Sequence, residues 1–364
     1  MNLEEIIAGT RSRAGLFVME DRALLEVRGE DRVRWLDGMI SGDVQALEGA
    51  DAGSGCYATL LTNRGAIVAD LHVGRLGEVF FLESRRDQIA KIQETLERFI
   101  IADDVTLVDR SGDLAALGIE GPRAGEILDS AIGTRLDLSP ESWAECEVGG
   151  CPIRVGAFGF SGEKAFQIYV AADDRRAVEQ ALEAAGSESG LVSGDATALD
   201  VMRIEAGIPM LGVELDETVL PPEARLERAI STSKGCYVGQ EIVARLRARG
   251  QVNHLLVGLQ IEGEALPDAD TLLHVNGRRS GEVTSSAISP TFGPIALGFV
   301  RREHSEIGTR VEFEGGAARV AALPFFGSSS GSSSGSPSES DSVDRGDSSS
   351  TSAEAGNLDR MDPS

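Results

Sequence analysis

Apolar residues recur along this chain with two periods, and the changes of period outline its elements. Residues 23–29 read as a strand. Gly29-Glu30-Asp31 then sets acid at the start of a helix carrying Val33, Trp35-Leu36 and Met39-Ile40, where negative charge complements the macrodipole. Two strand-like runs, 56–61 and 66–73, flank Thr62-Asn63-Arg64-Gly65 and predict a hairpin. A third strand at 79–82 precedes a helix over 85–100, with Ile89, Ile92, Leu96, Phe99 and Ile100 at helical spacing, and a strand at 105–108 closes the set. The order strand, helix, strands, helix, strand is that of a ferredoxin-like α+β lobe.

A looser version follows: a strand at 114–119, a helix from Pro122, strands near 153–155 and 166–170, and a helix across 175–185. Proline is tolerated in a first helical turn, where its missing N–H has no helical partner. The fold class is therefore α+β, with two interleaved ferredoxin-like lobes. Residues 133–150, with Pro140, Gly149 and Gly150, read as a surface excursion. A helix starting at Asp195-Ala196-Thr197 runs to Gly207, and Pro/Gly-rich loops lead on to Pro221-Pro222-Glu223. Beyond Asn253, short β-type runs alternate with Gly, Pro and Asn turns, the pattern of an all-β barrel. The expected domains are 1–250, holding both lobes, and a C-terminal β-barrel at 251–326. Residues 327–364, acidic, Ser-rich and almost without apolar content, are expected to be a disordered tail.

Charge narrows the partners. Among 364 residues, 59 are acidic and 34 basic, a net charge of −25, and only Lys91, Lys164 and Lys234 are lysines. That balance suits neither a nucleic acid nor an anionic membrane, which favour a basic face. It suits a salt-rich, halophilic cytoplasm, where ions screen the repulsion among carboxylates. Cys56, Cys146, Cys151 and Cys236 lack paired spacing, so reduced thiols are expected. Met1-Asn2-Leu3-Glu4-Glu5 is acidic where a signal peptide is basic. No run approaches the roughly 18 apolar residues of a membrane span, and a soluble cytoplasmic protein is expected. There is no phosphate loop, no G-x-G-x-x-G and no metal-ligand spacing among His72, His254, His274 and His304.

Against this acidity, residues 225–249 carry Arg225, Arg228, Lys234, Arg245, Arg247 and Arg249 but only Glu227 and Glu241, a net charge of +4. Such an island points to an anionic ligand. At its centre, Lys234-Gly235-Cys236-Tyr237-Val238-Gly239-Gln240-Glu241 crowds an ammonium, a thiol, a phenol, an amide and a carboxylate around two glycines. Cys236, beside Lys234 and near a helix start, is a candidate reactive thiol; the alternative is a buried, inert one. Glu205, next to a loop, can accept two hydrogen bonds from an aminopyrimidine-type ring, or simply pair with Arg203. Arg245, Arg247 and Arg249 share one face on a strand and make a carboxylate clamp; on a helix they fan out. Asp70, inside an apolar strand, is a candidate general acid or base, or else faces water.

These residues carry a resemblance. The octapeptide with Ala244-Arg245 matches the K-G-C-Y-x-G-Q-E signature of the YgfZ-type folate-binding proteins, relatives of the glycine-cleavage T-protein, an aminomethyltransferase. The superfamily pattern extends to Arg203-x-Glu205-x-Gly207-x-Pro209-x-x-Gly212-x-Glu214, to Gly29-Glu30-Asp31 with Trp35-Leu36, and to Gly281-Glu282-Val283-Thr284-Ser285 with Ser289-Pro290. The resemblance implies a three-domain ring whose central channel binds tetrahydrofolate or a one-carbon derivative. Glu205 would hold the pterin edge and Arg245 or its neighbours the glutamyl carboxylates, with Lys234, Tyr237 and Gln240 also at the folate. Cys236 would lie in a mobile loop, and Asp70 falls where T-proteins carry an acid implicated in methylene transfer. The implied function is a folate-binding accessory protein for iron–sulfur cluster assembly or repair, with iron–sulfur client or assembly proteins as partners. The alternative is a folate-dependent one-carbon transferase, and the resemblance leaves open whether the protein is an enzyme.

Overall fold

A computed structural model describes residues 1–50, 53–250 and 252–326, the side chains of Ala248 and Arg249 excepted. The expected tail at 327–364 lies outside the described residues. The chain opens with elements that the sequence periodicity did not predict, α1 (Leu3–Ser12) and β1 (Gly15–Val18). The Asn2 side chain accepts from Glu5 N–H while the Glu5 carboxylate accepts from Asn2 N–H, which satisfies two otherwise unpaired donors at the helix start.

The chain then builds a five-stranded antiparallel sheet: β2 (Arg22–Arg28), α2 (Arg32–Met39), α3 (Val44–Glu48), β3 (Gly55–Leu61), β4 (Ile67–Leu76), β5 (Val79–Arg85), α4 (Ile89–Glu97) and β6 (Thr106–Asp109). Its strand order is β3-β4-β5-β2-β6, the expected strand–helix–strands–helix–strand lobe. Leu25 and Val27 of β2 and Ala69, Leu71 and Val73 of β4 join a buried core with Trp35, Leu36, Ile89, Ile92 and Leu96 of the helices.

A second sheet takes β7 (Leu114–Glu120), β8 (Trp143–Val148), β9 (Cys151–Gly156), β10 (Ala165–Ala171) and β11 (Val192–Gly194), with α5 (Ala124–Ile132) and α6 (Arg175–Gly186) between them. Its order, β11-β1-β7-β10-β9-β8, places β1 between β11 and β7, both of which follow the whole first sheet in the chain, so the lobes are interleaved. The expected surface excursion at 133–150 instead contains β8, whose Trp143 is buried against Phe81, Phe158 and Tyr169. Glu145 and Glu147, exposed farther along β8, gave that stretch a polar look.

Next, α7 (Ala196–Ala206) begins on Asp195, whose side chain accepts from Ala198 N–H, and ends on Gly207 in the left-handed conformation. α8 (Gln240–Arg249) follows the loops, and β12 (His254–Glu262), β13 (Leu272–Val275), β14 (Arg278–Ser289), β15 (Gly293–Arg301), β16 (Arg310–Phe313) and β17 (Gly316–Ala321) close into a barrel. Two buried polar networks tie α7 to β14. Arg203 pairs with Glu214 at 3.0 Å and donates to Ser285 Oγ at 2.7 Å, and Ser289 Oγ donates to Glu205 at 2.6 Å. The inner faces of both sheets, α1, α7 and the barrel meet in a core containing Phe17, Leu24, Phe81, Tyr169, Met202, Leu256 and Leu297.

Candidate functional site

Strand alternation sets the site. Because residues 69, 71 and 73 of β4 join the helix-side core, Asp70 and His72 project from the opposite face, toward the second sheet. A cavity of about 680 Å³ opens there, lined by Asp70, His72, Tyr57, Phe17, Leu199 and Leu211 among others. A second cavity of about 670 Å³ adjoins it, and His72, Gly159, Ile208, Pro209 and Arg228 line both.

Tyr57 lies on β3 directly opposite His72, and its hydroxyl donates to Asp70 Oδ2 at 2.8 Å. Burial, then the Asp70 charge, push the Tyr57 phenol well above its ordinary pKa, so it remains a donor. Arg228 lies over the Tyr57 ring at 4.5 Å, with its side chain 62% exposed and its nearest carboxylate, Glu141, at 3.9 Å. The His72 ring stacks on Phe158 at 3.9 Å, and Nδ1 lies 2.7 Å from Glu141 Oε2. Burial works to raise the Glu141 carboxyl, but the charges of His72 and Arg228 and the His72 hydrogen bond hold it below the usual carboxylate value. Arg22 is occupied elsewhere, in a two-bond pair with Glu83 at 2.6 and 2.7 Å.

Of the candidate catalytic and folate-contacting side chains Cys236, Asp70, Glu205, Lys234, Tyr237, Gln240 and Arg245, Asp70 alone lines these cavities, joined there by Arg225 and Arg228 of the basic island. The Glu205 carboxylate is fully buried; Arg11 donates to one oxygen at 2.5 Å and Ser289 to the other at 2.6 Å, so a pterin could be held there only by displacing them. Lys234 is buried as well, its Nζ donating to the carbonyls of Asp37, Ile40 and Gly42 at 2.5, 2.9 and 2.6 Å and lying 3.1 Å from Asp37 Oδ1. It closes the C-terminal end of α2, where helix carbonyls lack helical partners and cations are favoured. Tyr237 packs into the helix-side core under Lys234, and Gln240 Nε2 donates to Gly235 O at 3.3 Å.

Arg245 and Arg247 lie on a helix, which leaves no single-faced clamp; Arg245 pairs with Glu241 at 2.7 Å on the surface. Cys236 is exposed. Gly239 has φ +84°, and a Cβ there would stand 2.7 Å from Thr62 O, so this glycine lets the motif loop rest on the β3–β4 turn. The octapeptide is thus built chiefly into the scaffold. Sequence reading passed over Tyr57 and Glu141, named His72 only among histidines without metal-ligand spacing, and counted Arg228 only within the basic island. The spacing Asp70-Leu71-His72 on a strand was the available signal for His72, since alternate residues share a face.

Residues 3–234 match the family described as GCVT N-terminal domain, and residues 255–326 match the Glycine cleavage T-protein C-terminal barrel domain. The chain is 34% identical over 330 residues to an aminomethyltransferase of Symbiobacterium thermophilum, covering 87% of each chain. Against an aminomethyltransferase of Saccharopolyspora erythraea the identity is 32% over 327 residues, 87% of this chain and 88% of the relative. The glycine cleavage system aminomethyltransferase T from Bartonella henselae superposes with a TM-score of 0.79 at 26% identity, covering 89% of each chain. With both family regions matched in order and aminomethyltransferases aligned along most of its length, this chain belongs to the glycine-cleavage T-protein family.

Proposed function

We propose that this protein is a folate-dependent one-carbon transferase of the aminomethyltransferase type, working in the cavity that Asp70 lines. The observation that carries the reading is the Asp70 carboxylate, facing a cavity of about 680 Å³ with one oxygen fixed by Tyr57. Cavities of roughly 300–1,000 Å³ suit small-molecule ligands. The residues present fit tetrahydrofolate: Phe17, Tyr57, Leu199 and Leu211 offer apolar surface for a flat ring. Lys164, Arg225 and Arg228 of the adjoining cavity offer positive charge for the glutamyl carboxylates. When bound, tetrahydrofolate supplies the amine that accepts the one-carbon unit. Asp70 holds the nitrogen side of the reacting pair and takes the proton released there, and Tyr57 keeps the carboxylate aimed. The domains at 1–250 and 251–326 are proposed to surround this cavity as a channel.

Methylene transfer from an aminomethyl-lipoyl carrier to tetrahydrofolate tests the reading. Asp70→Asn is expected to lower kcat by about 10²–10⁴-fold, the usual contribution of a positioned acid or base. Wild-type turnover in that variant would remove Asp70, and no turnover in the unaltered protein would remove the transferase reading.

A second reading, the YgfZ-type accessory role toward iron–sulfur proteins, is supported by the K-G-C-Y-V-G-Q-E motif and by Cys236 standing exposed on its loop. Under this reading Cys236→Ser impairs iron–sulfur enzymes in cells while folding and tetrahydrofolate affinity stay unchanged. Normal iron–sulfur enzyme activity with the variant would exclude it.

A further inference from the structure

We propose that His72, held by Glu141, protonates the departing amine in the cavity, with Asp70 as the complementary base. The inference rests on the transferase reading above. His72 is 4% exposed, yet it lines both cavities at their junction. Its ring is fixed on one side by Phe158, stacked at 3.9 Å with the planes 9° apart, and Tyr57 lies 4.7 Å away. Nδ1 is engaged by Glu141 at 2.7 Å, and Nε2 makes no hydrogen bond among the described residues.

The His72–Glu141 pair differs from the structural pair of Arg22 and Glu83. Arg22 and Glu83 close on each other through two bonds that use both carboxylate oxygens. His72 and Glu141 share one bond, and the second ring nitrogen is left for a ligand. Glu141 also sits at φ +66°, a conformation that costs a non-glycine residue about 1–3 kcal/mol and concentrates at functional sites. The charged or titratable groups around His72 are Glu141, Tyr57 and Asp70, Arg228 over the Tyr57 ring, and its cross-strand neighbour Glu83, already neutralised by Arg22.

The chemistry needs two proton-handling groups. An amine leaves poorly as an anion, so the nitrogen that keeps the electron pair of the breaking C–N bond takes a proton from Nε2. The imidazole becomes neutral, keeps Nδ1–H on Glu141, and regains its proton from water in the adjoining cavity. Asp70 takes the proton that the accepting nitrogen loses when the one-carbon unit joins it, and the carrier sulfur then leaves with the C–S electron pair as a thiolate when the second folate nitrogen closes the methylene bridge and gives its proton to water. Asp70 and His72, two residues apart on β4, face the same space for these opposite tasks. Glu141 is a positioning residue, which fixes the ring and its tautomer.

His72→Asn keeps a donor near Glu141 and removes Nε2. The expected result is a loss of about 10²-fold or more in kcat, with the KM for tetrahydrofolate unchanged and the imidazole limb of the pH–rate profile gone. A wild-type kcat and profile in His72→Asn, while Asp70→Asn is impaired, would overturn the proposal and leave the transferase reading standing. An inactive wild-type protein would instead remove both. Imidazole ¹⁵N spectra of the wild-type protein give a readout apart from activity. Nδ1 is expected to be protonated, to lose that signature in Glu141→Ala, and to respond to added tetrahydrofolate. A bare Nδ1 with protonated Nε2 in the wild type would overturn the pairing without any variant having to fold.

Discussion

Replacing Lys234 with methionine tests whether the centre of the octapeptide holds the protein together or holds its ligand. In the structure the ammonium is withdrawn from water, 1% exposed as a side chain, and meets three carbonyls and one Asp37 oxygen within 3.1 Å. Asp37 also accepts from Val44 N–H at 3.0 Å, so the lysine joins the end of α2 to the start of α3. Each charge-assisted hydrogen bond contributes roughly 1.5–3 kcal/mol, but bonds to one ammonium do not add independently. Removing one member of a buried ion pair costs roughly 3–5 kcal/mol, since the other charge stays behind unpaired. Methionine fills much of the same volume, so the expected loss is about 3–5 kcal/mol, without a large cavity contribution. Urea unfolding followed by tryptophan fluorescence reads this directly, because Trp35 lies on α2. Asp37→Asn and the double variant complete a cycle whose coupling measures the pair. Tetrahydrofolate affinity, measured where Lys234→Met is folded, is expected to match the wild type. Unchanged stability together with lost tetrahydrofolate binding would refute the structural role.

Three further outcomes follow from the same geometry. Burial pushes the Cys56 thiol up to about 12 and the Cys146 thiol up to about 11, whereas Cys236 is exposed; brief alkylation near neutral pH, mapped by mass spectrometry, is expected to label Cys236 and spare Cys56 and Cys146. Arg228→Gln should weaken tetrahydrofolate binding by about tenfold, roughly 1.4 kcal/mol, and flatten its salt dependence, as read by calorimetry at two ionic strengths. Gly239→Ala should cost roughly 1–3 kcal/mol of stability, because the added Cβ meets Thr62 O with the backbone held at φ +84°.

Local pattern was enough for much of this molecule. Alternation and helical spacing specified the first α+β lobe, the β-rich C-terminal region and the placement of Asp70 on a strand, because each depends on residues within a few positions of one another. The octapeptide and the Arg203-to-Glu214 run pointed to the right superfamily for the same reason: they are contiguous. Pattern reading passed over α1 and over β1, a four-residue strand, and it failed at β8, where the exposed Glu145 and Glu147 and nearby glycines hid a strand anchored by the buried Trp143.

Long-range contacts assigned the polar residues their tasks. Glu205 and Lys234 supply a carboxyl and an amino group, and only the approach of Arg11, Ser289 and the α2 carbonyls turns them into buried ties. His72 shares a strand face with Asp70, but Tyr57, Glu141 and Arg228 come from three other stretches, so no spacing along the chain could have grouped those three around Asp70. A carboxylate's surroundings, and with them its chemistry, are fixed by which strands and loops meet in space, and that was decided by the interleaving of two sheets.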